Sequence, residues 1–178
     1  MAPSRIMIIR HAEKPHQPPC ENDDGMKRNG AIDKESLTVR GWQRAGALVH
    51  FFTSEADLSP DAIFAAGVGG ESPSHRPKQT VMPLADWLGI KIHDSHLKDD
   101  ITPLINDVLS HDGIVLISWE HHRILDVVAQ LPHVPASPAK WPDERFDVVW
   151  VLDRDGEGWK FSQIPQMLLS GDLDKWIK

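Results

Sequence analysis

A chain of 178 residues with 40% hydrophobic and 25% charged residues is one domain's worth of soluble globular protein. It is long enough to bury a core without disulfides or metal. The formal net charge is −7, and Lys and Arg are scattered in runs no longer than two. This excludes the basic stripe of a nucleic-acid binder, so no nucleic-acid partner is expected. Cys20 stands alone and cannot close an internal disulfide, which suits a reducing cytoplasm.

The stretch Met1 to Arg10 is a short apolar run interrupted by charge. It reads as neither signal peptide nor membrane span, so a cytoplasmic protein without a membrane partner is expected. Within it, Ile6-Met7-Ile8-Ile9 is a continuous apolar run that ends at Arg10-His11. Such a run reads as a strand buried on both faces, the pattern of a parallel sheet. Glu13 to Ser36, rich in Pro, Gly, Asn and Asp, reads as a long functional loop.

Thr38 to Phe52 reads as a helix capped by Thr38. Trp42, Ala45, Val49 and Phe52 fall on its inner face, while Arg40, Gln43 and Arg44 lie elsewhere. Ala62 to Ala66 is a second short apolar strand, followed by the loop Gly67-Val68-Gly69-Gly70. That run lacks the Lys-Ser/Thr ending of a P-loop and is read as flexible. A helix is expected to begin near His75 or Arg76, because Pro77 is tolerated only in a first turn. Pro83 should kink or divide it.

Gly89 to His93 reads as a third strand, Ile101 to Leu109 as a helix, and Gly113 to Ser118 as another fully buried strand. His122 to Leu131 reads as a helix stopped by Pro132, with a proline-rich loop behind it. Phe146 to Leu152 and Trp159 to Ile164 read as two strands joined in a hairpin through Asp153 to Gly158. Strands alternating with helices imply a three-layer α/β/α domain over residues 1–178. Its central sheet should be mostly parallel, with the last hairpin as an antiparallel edge.

Two of the buried strands run into histidine. Ligands of open α/β sheets sit beyond the carboxyl ends of the strands. Arg10 and His11 therefore meet His121 and His122 at one sheet edge, and the second strand delivers Arg76 there as well. Two arginines and two histidines in an otherwise acidic protein want an anion. Guanidinium forks match phosphate oxygens, and helix N-termini near Arg76 and after His121 would add N–H donors. A phosphoryl group, with three oxygens to satisfy, fits better than a carboxylate.

Four blocks in order resemble the histidine phosphatase superfamily, which includes the phosphoglycerate mutases. They are Arg10-His11-Ala12-Glu13, Thr38-x-x-Gly41-x-x-Arg44-Ala45, Ser72 to Thr80 with Arg76 and Gln79, and the apolar strand before His121. The resemblance implies a phosphoglycerate mutase-like fold and a metal-independent phosphatase with no cofactor. His11 would be the nucleophile that carries a phosphohistidine. Arg10, Arg76 and His121 would cradle the phosphoryl oxygens and act with it in catalysis. Glu13 and His122 are further pocket candidates.

Ala12 stands where the family keeps Gly, and Pro77 where it keeps Ala. The Glu-Arg-x-Tyr-Gly block that carries the proton donor of the mutases is absent, and the chain has no Tyr. Glu13, Asp99, Asp100 and Glu120 are the candidates for that donor. The natural partner is expected to be a small phosphorylated substrate or a phosphoprotein. A non-catalytic phospho-ligand binding module is the main rival reading and a mutase the third. His93 with His96 lacks a metal-ligand pattern, and there is no His-Glu-x-x-His sequence. Trp42, Phe52 and Trp87 are read as core.

Overall fold

The apolar runs pair into one six-stranded sheet. The computed structural model describes residues 2–16 and 23–178, so Cys20 lies outside the described residues. The elements in chain order are β1 (Arg5–Arg10), α1 (Val39–Thr53), β2 (Ala62–Ala65), α2 (Arg76–Leu88), β3 (Ile92–His93) and α3 (Ile101–Val108). They continue with β4 (Ile114–Trp119), α4 (His121–Ala129), β5 (Val148–Asp155) and β6 (Gly158–Pro165). The strand order is β3-β2-β4-β1-β5-β6. β3, β2, β4 and β1 run parallel, β5 runs antiparallel to β1, and β6 antiparallel to β5. This is the mostly parallel sheet with an antiparallel edge expected above.

Alternation along β1 explains why the run is apolar throughout. Ile6 and Ile8 enter a core with residues of α3 and α4, among them Leu104, Val108, Ile124 and Val127. Met7 and Ile9 enter the opposite core with Leu48 and Phe52 of α1 and Val81 and Leu84 of α2. Burying successive side chains in two different cores is what makes three layers.

Several details depart from the sequence reading. The inner face of α1 is Gly41, Arg44, Ala45, Leu48 and Phe52, with Trp42 and Val49 only partly buried. Arg44, expected outside, is therefore buried, because its charge is neutralised by distant carboxylates. Pro83 does not divide α2, which runs unbroken for 13 residues. The missing N–H forfeits one helical bond, while Val81, Leu84 and Ala85 stay buried on either side of it. Trp87 is 72% exposed and belongs to no core. β3 shrinks to two residues because it pairs with only Ile63 and Phe64. The final hairpin is tighter than expected, with Asp153, Arg154 and Asp155 paired to Lys160, Trp159 and Gly158. Gly67 is a packing glycine: its N–H donates to the His96 carbonyl at 2.7 Å, and a Cβ there would meet the Asp94 carbonyl at 2.3 Å. Close approach of two backbones, and not flexibility, accounts for it.

Candidate active site

The ends of β1 and β4 lie side by side. Arg10 registers with Trp119, and the His11 N–H donates to the Trp119 carbonyl at 3.1 Å. This brings His11 to the level where β4 turns into α4 and His121 opens that helix. The Ala12 N–H donates to the Thr80 hydroxyl at 2.8 Å, and that hydroxyl donates to the Arg76 carbonyl at 2.8 Å. Thr80, completely buried, thereby bolts the first turn of α2 to the residue after His11. Gln79 does the same for the neighbouring loop, accepting the Leu37 N–H at 2.9 Å and donating to the Ser36 hydroxyl at 2.8 Å.

His11 is 3% exposed, and its Nδ1 lies 2.7 Å from the carbonyl of Ala12. A carbonyl can only accept, so Nδ1 carries the proton and Nε2 carries the lone pair. Burial holds the imidazole well below its ordinary range, and the nearby charges of Arg10, Arg76 and His121 push the same way. His11 is thus a neutral imidazole with a defined tautomer.

Arg10 is 1% exposed and stacks on Phe146, its guanidinium carbon 3.8 Å from the ring centroid. Its Nη1 donates to the Asp143 carbonyl, while Nε and Nη2 are buried without any hydrogen-bond partner among the described residues. Burial lowers this guanidinium to about 10. Arg76 donates from Nη1 to the Lys34 carbonyl at 3.1 Å and lies 3.5 Å from Glu35; its Nε is likewise buried and unpartnered. Buried guanidinium N–H groups are costly to leave unmade. Two arginines with spare donors beside one neutral histidine form a cage suited to an oxyanion.

The structure separates the two candidate histidines. His121 is 3% exposed and lies 2.8 Å through Nε2 from Asp143 Oδ1, whereas His122 is exposed. Burial, reinforced by Arg10, lowers His121 to about 4. His122 stands on the rim and His121 in the cage.

Glu13 commits its carboxylate to Arg44, while its charge still reaches Arg10. Arg44 Nη2 holds its carboxylate at 2.8 Å and Asp172 at 2.7 Å, and Gln166 accepts from Arg44 Nη1 at 2.9 Å. Burial opposes the charge of Arg44, but its bonds to Asp172 and Glu13 more than reverse this and its guanidinium is raised. The Glu13 carbonyl accepts the Thr38 N–H at 3.1 Å, and a Cβ on Gly41 would meet it at 2.5 Å. The spacing Thr38-x-x-Gly41-x-x-Arg44 is therefore a clamp on the chain just after His11.

Of the other proposed proton donors, Asp99 pairs with Arg123 at 3.0 Å and Asp100 accepts the Leu97 N–H at 2.8 Å. Glu120 remains: it precedes His121 as the N-cap of α4, and its charge acts on both Arg76 and Lys14. Lys14 is lowered by burial and by the charges of Arg10 and Arg76. Glu35 and Asp143 escaped the sequence reading, because both stand in loops that no motif singles out.

No family model and no curated protein sequence matches the chain. Solved structures do. An Escherichia coli K-12 protein assigned provisionally as an alpha-ribazole-5'-P phosphatase aligns over 90% of this chain and 96% of its own, with TM-score 0.55 and 13% identity. The alpha-ribazole phosphatase of Shigella flexneri aligns over 89% and 94%, with TM-score 0.53 and 11% identity. YhfR of Bacillus stearothermophilus aligns over 97% and 98%, with TM-score 0.54 and 11% identity. The six-stranded mixed sheet and four helices of the described residues thus share the phosphoglycerate mutase-like α/β fold of these structures.

Proposed function

We propose that this chain is a metal-independent phosphatase that works through a phosphohistidine on His11. The observation that carries the reading is the fixed Nδ1–H tautomer of a buried, neutral His11 beside unpartnered N–H groups of Arg10 and Arg76. The likeness of fold to named phosphatases supports it.

In this reading the phosphomonoester lies with its oxygens against Arg10 Nε and Nη2, Arg76 Nε and His121. The His11 Nε2 lone pair attacks phosphorus in line with the leaving oxygen. The N–P bond forms as the P–O bond breaks, and the departing oxygen takes a proton from Glu120. The imidazolium that forms is stabilised by the Ala12 carbonyl, which faces Nδ1–H throughout. Water then attacks phosphorus, giving its proton back to Glu120. The N–P bond breaks, inorganic phosphate leaves and His11 is restored. Positioned guanidinium charge supplies most of the rate enhancement, as is usual for phosphoryl transfer. Small phosphorylated metabolites and phosphoproteins are the substrate classes to test.

Hydrolysis of an aryl phosphate in EDTA by wild type and His11→Ala tests the proposal. Turnover that resists EDTA and disappears in the variant is expected. If wild type does not turn over although phosphate raises its melting temperature, the cage is a binding module and the enzymatic reading fails.

A further inference from the structure

Successive residues on a helix point about 100° apart and do not face each other. His121 and His122 are an exception. His121 is the first residue of α4, preceded by the extended Glu120, and the two imidazole centroids lie only 3.8 Å apart. The Asp143 carboxylate reaches the same place from the proline-rich loop, 2.8 Å from His121 Nε2. One donor atom from each of the three residues lies within 4.8 Å of the others. The Asp143 carbonyl is held in turn by Arg10 Nη1, so a buried arginine fixes the backbone that presents this carboxylate. His121 is buried while His122 and Asp143 are exposed, so the set opens to solvent on the rim of the cage.

Two imidazoles and one carboxylate suit a borderline divalent cation such as Zn²⁺, with water completing four-coordination. Zinc–ligand distances of about 2.0–2.2 Å put donors of one ion roughly 3–3.5 Å apart. Small rotations of two exposed side chains meet that requirement. The positive charge of Arg10 opposes a cation here, and the carboxylates of Asp143 and Glu144 act against it.

We propose that His121, His122 and Asp143 form a zinc-binding site whose occupancy takes His121 away from the phosphoryl group and inhibits the enzyme. The binding site stands on its own geometry; the inhibition rests on the phosphatase reading above. Because the two ligands draw on His121, zinc and inorganic phosphate must weaken one another by the same factor.

Zinc is titrated into metal-free protein against a chromophoric chelator for wild type, His122→Ala and Asp143→Asn. Aryl phosphate hydrolysis is followed over the same zinc concentrations. One zinc per wild-type chain is expected, bound at least tenfold more weakly by either variant. His122→Ala should need at least tenfold more zinc than wild type for half inhibition, each protein read against its own zinc-free rate. Zinc held by other histidines would survive His122→Ala unchanged, and that result, or no zinc binding by wild type, overturns the proposal. Absence of hydrolysis by wild type would sink the phosphatase reading alone, since the chelator titration still decides the site.

Discussion

Replacing Thr80 with valine tests how His11 is held. Valine has the shape of threonine without the hydroxyl, so the core around this fully buried position is unchanged in volume. Two bonds of 2.8 Å disappear, one from the Ala12 N–H and one to the Arg76 carbonyl. The Arg76 carbonyl still meets a helical amide. The Ala12 N–H, on a residue with no exposed surface, is left without a partner. An unmade buried donor costs about 1–3 kcal/mol. Thr80→Val should therefore lose about 2 kcal/mol in urea denaturation, roughly thirtyfold in the folding equilibrium. Freeing Ala12 also loosens the carbonyl that orients His11 Nδ1, so kcat on an aryl phosphate should fall about tenfold with KM little changed. Thr80→Ser, which keeps the hydroxyl, should recover most of that kcat. A stability loss below about 0.5 kcal/mol together with an unaltered kcat would refute the bolt between α2 and the His11 loop.

Burial holds His11 well below its unfolded value of 6.5, so the unfolded chain binds the extra proton first. The stability tied to neutral His11 is complete above pH 6.5 and is lost as pH falls from there toward the folded value, at up to about 1.4 kcal/mol per pH unit. Denaturation curves for wild type and His11→Asn between pH 5 and 8 should be steeper in wild type, the slope left in the variant coming from His121, itself lowered to about 4, and the acid limb of kcat/KM should lie below pH 6.5. Arg44→Ala strands the carboxylates of Glu13 and Asp172 against the core and should cost about 3–5 kcal/mol in denaturant; a cost near zero would mean that the clamp is not needed. Glu120→Gln should slow alkyl phosphates at least tenfold more than aryl phosphates, because only the poorer leaving group needs a proton; equal slowing would remove Glu120 as the donor.

The parts of the fold legible in the sequence are those whose signal is local. Ile6 to Ile9 and Ile114 to Ile117 are apolar at every position because both faces of the sheet are covered, and Thr38 caps α1 through a bond to Gly41 three residues on. Arg10, His11 and His121 were legible because each ends or follows a strand at one edge, and Arg76 through the block Ser72 to Thr80 in which it stands. What was hidden depends on residues far away in the chain. Arg44 reads as a surface charge until Glu13 and Asp172, 31 and 128 positions distant, are brought to it. Asp153 to Asp155 read as a turn until Lys160 and Trp159 pair with them, with the Arg154 guanidinium carbon 4.3 Å from the Trp159 ring centroid. Trp87 misleads in the opposite sense, because size is not burial: Val81, Leu84 and Ala85 already fill the inner face of α2, and position 87 turns outward. The same division runs through the site. The groups that would touch phosphate are announced by their neighbours in sequence, whereas those that hold His11 and His121 in place, Thr80 and Asp143, act across 68 and 22 positions and declare themselves only once the chain has folded.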